Sequence, residues 1–426
     1  MVVSAFGLAS GIPQIKAQTG GTVMDFFVTA QPVFDGSSYN VFSPQSLVVQ
    51  QGDQVNLTVR NVGIQSFHLQ VQGQAAVTVL AGIQNGSSIS PVDTTFPIFT
   101  ASAAGIFGFN AVEYPEMNGQ LIVLPSSWTG YSPAVQTRSF TQLVIPDFAG
   151  ESYDKYLSAV MVVNQGDKVN VTFRNTDDMP HGFALAAYGL DAMISPGQDQ
   201  PDGSITPVVT SIQLFTASTP GVFRFLCTVP CGPGHLEMVG SLVVLPTANG
   251  GSYNPVPITE YSYLTVMPDV AGDAYDKYLP DTIFANQNDL VYIDVRNTDT
   301  ALHGFALPNF GISNVTVAPA TGNETAGVVP TDTIVPEFYA SQPGIFEFFC
   351  SNNCGAGHNQ MVGYLVVLPS LNATSGGTHA TPAPVQPMST VIFAGLSVAL
   401  LVVGVLIGII VVKRFGEGEP VEKIPT

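Results

Sequence analysis

A chain of 426 residues is too long for one ordinary hydrophobic core and divides into two to four domains. Charged residues make up only 10% of it against 46% apolar, so cores can form while uncharged polar side chains cover the surface. With 12 Lys plus Arg against 31 Asp plus Glu, the formal net charge of -19 argues against nucleic acid and anionic lipid as partners and leaves a basic protein partner open.

In chain order, residues 1–21 read as a signal-peptide remnant or an N-terminal arm, moderately apolar over Val2 to Pro13 but without a basic start. From 22 to 369, short β-branched and aromatic runs recur between Gly and Pro clusters, as in all-β sandwiches, and long amphipathic helical stretches are missing. Residues 370–388, rich in Ser, Thr, Gly and Pro, cannot form a core and read as a tether. Residues 389–412 read as a transmembrane helix, since Val391 to Val412 is uncharged and at 1.5 Å per residue spans about 33 Å. Lys413 and Arg414 open the tail, 413–426, and by the positive-inside rule keep it cytoplasmic. Everything before the helix is then extracellular or periplasmic. Sequons at Asn56, Asn85, Asn170, Asn314, Asn323 and Asn372 would permit glycosylation of such a chain.

Internal repetition organises the region between. Pro146-Asp147-Phe148-Ala149-Gly150 returns as Pro268-Asp269-Val270-Ala271-Gly272, each followed shortly by Tyr-Asp-Lys-Tyr-Leu. The same offset carries Arg174-Asn175-Thr176-Asp177 onto Arg296-Asn297-Thr298-Asp299, and His181-Gly182-Phe183 onto His303-Gly304-Phe305. A weaker copy lies upstream, where Gln51-Gly52-Asp53 matches Gln165-Gly166-Asp167. Domains are expected at 22–126, 137–247 and 259–369, with strands such as Val169-Asn170-Val171-Thr172-Phe173 half-buried.

All four cysteines fall in two segments, Cys227-x3-Cys231-x3-His235-x2-Met238 and Cys350-x3-Cys354-x3-His358-x2-Met361. Thiolate, thioether and imidazole together form the soft donor set that selects copper, and two thiolates in one loop can bridge two ions. Two disulfides would leave His and Met unexplained, structural zinc does not use methionine, and a mononuclear blue-copper site needs one cysteine. His181 and His303 lie upstream on another strand, and a loop converging with a distant strand on one metal is cupredoxin architecture.

This pattern resembles the CuA domain of heme-copper oxidase subunit II, closest to the B-type enzymes, and the same site type occurs in nitrous oxide reductase. The resemblance implies three tandem cupredoxin-like Greek-key β-sandwich domains plus the C-terminal transmembrane helix. It also implies two dinuclear CuA centres, four copper ions in all. In the first centre His181 and Met238 would serve one copper, His235 and the Val229 carbonyl the other, with Cys227 and Cys231 bridging. In the second, His303 pairs with Met361, and His358 with the Asn352 carbonyl, across Cys350 and Cys354. Pro230 departs from the family and is expected to distort its loop. Repeat 1 has no cysteine. Met117 aligns there with Met238, and counting from Arg60 puts Phe67 on the histidine position unless one inserted residue restores His68.

Six histidines, four of them assigned, leave His68 and His379, too few for a catalytic multihistidine cluster. The expectation is therefore a membrane-anchored electron relay without its own catalytic site. It would take electrons from a redox protein, cytochrome c or a small copper protein, toward a terminal oxidase, as a subunit II-like component or a separate shuttle. A C-terminal anchor, two sites instead of one and a lone Trp128 favour the shuttle. The competing expectation is a copper-binding cell-surface protein for storage, delivery or envelope structure.

Overall fold

In Lys168–Asn175, every second residue turns inward, so that Val169, Val171, Phe173 and Asn175 are buried while their neighbours stay at least partly exposed. This is the two-residue period of a strand with one face on a core. The computed structural model describes residues 21–371, apart from 32–39, 87, 151–152, 158, 273–274 and 324–326. The predicted N-terminal arm, the transmembrane helix and the cytoplasmic tail lie outside these residues, as does nearly all of the tether. Among the described residues the only helices are short 3-10 turns, and no helix is long and apolar enough to cross a membrane.

The same strand plan occurs three times. In repeat 2, Thr137–Ile145 runs parallel to Lys168–Asn175, which pairs on its other side with Val208–Ser211. The facing sheet orders Val160–Asn164, Val239–Leu245, Gly221–Leu226, His181–Leu185 and Leu190–Ile194. Repeat 1 begins at Val23–Gln31 and closes at Asn118–Leu124; repeat 3 begins at Thr259–Met267 and closes at Val362–Leu368. Each sandwich fills its interior with aromatic and aliphatic side chains, among them Phe109, Phe225 and Phe348 at matching positions.

The parallel strand pair of each second sheet is largely buried on both faces, and these strands accordingly carry apolar runs. Thr282–Asn286 is buried throughout. The outward side chains of the three second sheets converge on one interior, where Val48, Val162 and Phe284 hold equivalent places, as do Leu124, Leu245 and Leu368. Tyr131 and Tyr253, from the connections between repeats, join this interior and donate to Asn164 and Asn286. The described residues thus form one compact unit.

Polar groups are also caught between the repeats. Glu260 of repeat 3 is only 4% exposed, and burial pushes it up to about 8 although the Arg224 guanidinium of repeat 2 pulls the other way.

Two measurements test this packing. Phe284→Ala, which empties a fully enclosed site, is expected to cost about 3–5 kcal/mol, read as a lower denaturant midpoint. An unchanged midpoint would show that the shared interior adds nothing. Because the unfolded carboxyl titrates near the ordinary value, the folded chain binds more protons between about pH 4.5 and 8, and stability falls as pH rises through that window. Glu260→Gln should flatten this slope in melting curves taken across the window; an unaltered slope assigns it to another group.

Candidate metal centres

Each candidate centre sits at one end of a second sheet. In repeat 2, Gly221–Leu226 ends opposite Val239, and the long connection between these adjacent antiparallel strands carries Cys227, Val229, Cys231, His235 and Met238. His181 opens the next strand, which pairs with the first at Ala184 and Leu226. Repeat 3 does the same with Gly344–Phe349, Val362–Leu368 and His303–Leu307. The strand carrying the histidine must approach the loop closely, which is why glycine follows it. A Cβ on Gly182 would fall 2.2 Å from Thr228 Oγ1, and one on Gly304 2.3 Å from Ser351 Oγ.

All four cysteines are free thiols. Cys227 Sγ and Cys231 Sγ stand 3.9 Å apart, Cys350 Sγ and Cys354 Sγ 3.8 Å, well beyond the roughly 2 Å of a disulfide bond. The loop histidines turn Nδ1 toward the sulfurs, 3.7 Å from Cys231 Sγ for His235 and 3.7 Å from Cys354 Sγ for His358. His303 Nδ1 lies 4.0 Å from Cys350 Sγ. One ring nitrogen of His181 lies within 4.8 Å of both cysteine sulfurs, and its Nδ1 is buried. The carbonyl oxygen of Val229 lies 3.2 Å from Cys227 Sγ and that of Asn352 3.0 Å from Cys350 Sγ. Met361 Sδ is 3.9 Å from Cys354 Sγ, and Met238 is fully buried in the cluster that holds Cys227 and Cys231. The two loops superpose in these distances, so Pro230 does not impose the distortion expected of it.

Groups to which the sequence reading gave no role surround these donors. Asp177 Oδ2 is 2.8 Å from His181 Nε2, and Asp299 Oδ2 is 2.9 Å from His303 Nε2, so each ring is held by a carboxylate with Nδ1 left facing the thiols. The buried carboxylates Asp154 and Asp276 complete a second acidic group on the same rings. Tyr156 and Tyr278 donate to the carbonyls of Gly182 and Gly304, whose N–H groups point at Cys227 Sγ (3.2 Å) and Cys350 Sγ (3.3 Å). All lie within or beside the repeated Arg-Asn-Thr-Asp, Tyr-Asp-Lys-Tyr-Leu and His-Gly-Phe stretches; the repetition was the signal that could have found them.

The two sulfurs of each pair titrate apart. The hydrogen bond from Cys231 pulls Cys227 down to about 3 and pushes Cys231 far up. Cys350, at about 4, and a raised Cys354 repeat the arrangement. Burial works against charge on His181, yet bonds to Asp177 and Cys227 lift it to about 9. Each site thus holds protons that an entering cation must displace. A pair of close thiols, two inward Nδ1 atoms, a thioether and a carbonyl fit a soft metal.

Repeat 1 carries no such constellation among its described residues. No inserted residue restores a histidine, because Asn61 braces the Gln65 carbonyl as Asn175 braces that of Met179, and five residues separate each asparagine from the strand start. Phe67, 3% exposed, therefore occupies the place of His181 and packs against Phe42 and Tyr114. His68 points outward and pairs with Glu113 at 2.6 Å.

No protein-family model matches this chain. It is 38% identical over 87 residues to nitrous-oxide reductase of Stutzerimonas stutzeri, a stretch covering 20% of this chain and 12% of that protein. The enzyme of Pseudomonas fluorescens is 36% identical over 85 residues, 19% of this chain and again 12% of the relative. The chain thus spans only a small part of either relative's length. Among solved structures, a multi-copper oxidase from Pseudomonas thermotolerans aligns over 82% of this chain at 14% identity with a TM-score of 0.24. A copper-containing nitrite reductase from Thermus scotoductus aligns over 83% at 13% identity and 0.21. The fold itself is all-β and cupredoxin-like, two facing sheets repeated along the chain.

Gly182→Ala should push the His181 strand off the loop and halve the metal bound per chain, because repeat 3 keeps its own donors. Metal quantitation on purified protein reads this; a full complement in the variant would show that the close approach is dispensable.

Proposed function

We propose that this chain is an extracytoplasmic copper electron-transfer protein with a dinuclear CuA centre in repeat 2 and another in repeat 3, tethered to the membrane by its C-terminal segment. The observation that carries the reading is the pair of unbonded thiols at 3.9 and 3.8 Å, each pair flanked by an inward imidazole Nδ1 from a neighbouring strand and another from the loop. Two sulfurs at that spacing could bridge two metal ions or share one tetrahedral ion, and the methionine thioether beside each pair, which zinc does not favour, tips the donor set toward copper. Bound copper would supply reversible one-electron chemistry. The local identity with nitrous-oxide reductases, which are redox enzymes by name, adds support.

The protein's own part is to hold donors still. Cys227 and Cys231, His181 and His235, Met238 and the Val229 carbonyl would bind in repeat 2; Cys350 and Cys354, His303 and His358, Met361 and the Asn352 carbonyl in repeat 3. Asp177 and Asp299 orient the strand histidines, Gly182 and Gly304 donate N–H bonds to sulfur, and burial of His181 and His303 excludes water. Donors fixed by packing move little when charge changes, which suits an electron relay. On binding, these donors would fill the coordination positions and leave no place for substrate. The proposed donor is a small redox protein, cytochrome c or a copper protein, and the proposed acceptor a terminal oxidase, with the membrane segment keeping the relay close to it.

Copper-loaded protein should be purple, show a multi-line copper hyperfine pattern in EPR, and bleach with reductant. Cys231→Ser and Cys354→Ser should each remove one centre and leave the other. A colourless protein holding only Cu(I) would instead favour storage or delivery.

A further inference from the structure

The ligand turn of repeat 2 is gripped from outside its own repeat. Its short 3-10 turn, His235–Glu237, carries one candidate ligand at its start and leads directly into Met238. Glu237 Oε1 accepts a 3.1 Å bond from Arg296 Nη2, and Arg296 belongs to repeat 3. We infer that Arg296 is a positioning residue for the metal centre of repeat 2, so that this centre is complete only when repeat 3 is docked against it. The inference rests on the copper reading of that centre.

The contacts around Arg296 leave the guanidinium little freedom. Asp332 takes two bonds from it, at 2.8 and 2.7 Å, and its flat face lies 3.5 Å over the Tyr153 ring. Tyr153 in turn lies under the ligand loop, where a Cβ on Gly234 would come 2.8 Å from the Tyr153 Cα. Lys155 Nζ donates to the Glu237 carbonyl at 3.3 Å. Pro330 of repeat 3 also abuts Gly150, at the start of the segment that carries Tyr153 and Lys155. With Arg296 6% exposed, the pair is poorly screened by water, and its planar fork fixes direction as well as charge.

Repeat 3 shows the contrast within the same chain. Arg60 of repeat 1 lies 3.7 Å over Tyr275 and donates to the Ala271 carbonyl, so the supporting segment is held in the same way. Gln360, however, stands where repeat 2 has Glu237, and its buried Oε1 has no partner. Lys277 turns to the Phe27 and Ser43 carbonyls of repeat 1, and Arg60 bonds Asp93. Among the described residues, an arginine of the neighbouring repeat therefore grips the ligand turn at the repeat 2 centre and not at that of repeat 3.

Arg296→Leu in the full-length chain tests this. In metal-free protein, mass-spectrometric thiol labelling should speed up at Cys227 and Cys231, while Cys350 and Cys354, in the repeat that carries the substitution, keep their rates. In loaded protein one of the two copper EPR signals should change, and its copper should leave to a chelator first. Arg296→Lys, which keeps charge but loses the fork, should fall between, and carries the same contrast if the leucine variant does not fold. Equal acceleration at all four cysteines, acceleration at Cys350 and Cys354 alone, or no change would each overturn the inference. Absence of copper from the parent protein would instead defeat the copper reading, with the labelling contrast still deciding whether Arg296 holds the loop.

Discussion

Two sulfur atoms held 3.9 Å apart in repeat 2, and 3.8 Å apart in repeat 3, with no bond between them, are the constraint on which the rest of each centre depends. Two full charges at about 4 Å repel by roughly 4 kcal/mol even at an effective dielectric near 20, which opposes ionisation of both sulfurs together. The surroundings answer that demand. Glycine N–H groups point at one sulfur, and a strand histidine held by its aspartate lies close to the same pair. The tyrosine beneath fixes the glycine backbone from the opposite face. A metal cation bound between these donors would offset that repulsion.

Repeat 1 separates the scaffold from the chemistry. Its strand plan is that of its neighbours, yet Phe67 and Tyr114 fill the space where a histidine and a longer loop stand in the others. Aromatic burial there contributes stability that the metal-binding repeats give up for polar donors. Its value to the molecule lies in the shared interior, to which Val48, Ile122 and Leu124 bring a full third of the pattern, and in Arg60, which braces the supporting segment of repeat 3. A third copy without cysteines completes the packed interior that the two cysteine-bearing repeats share.

The repeat contacts also make the two centres unequal in a way their own motifs conceal. Glu237 and Gln360 differ by one atom, but only the carboxylate recruits an arginine from the adjoining repeat. Outer contacts of this kind tune a metal through the stiffness of its loop. Duplicated domains therefore need not remain duplicated functions once they pack against different neighbours.

The paired Cys-x3-Cys-x3-His-x2-Met segments, the upstream His-Gly-Phe strands and the repeat offset are local or periodic features, and they made the donors and the all-β class legible from the sequence by itself. Strand alternation in Lys168–Asn175 was equally readable, since it depends on neighbours two residues away. What only the tertiary structure decided were relations between distant segments. Asp177 and Asp299 on the histidine rings, the Tyr156 and Tyr278 bonds, and the three outer faces that meet in one interior belong to this group. So does the choice between Phe67 and His68, which turned on Asn61 fixing the register of a strand six residues away. Arg296 on Glu237 is the farthest case. Sequence pattern reports what the backbone period repeats, whereas a contact between strands of different repeats is set by how whole sheets stack, and no local period encodes that.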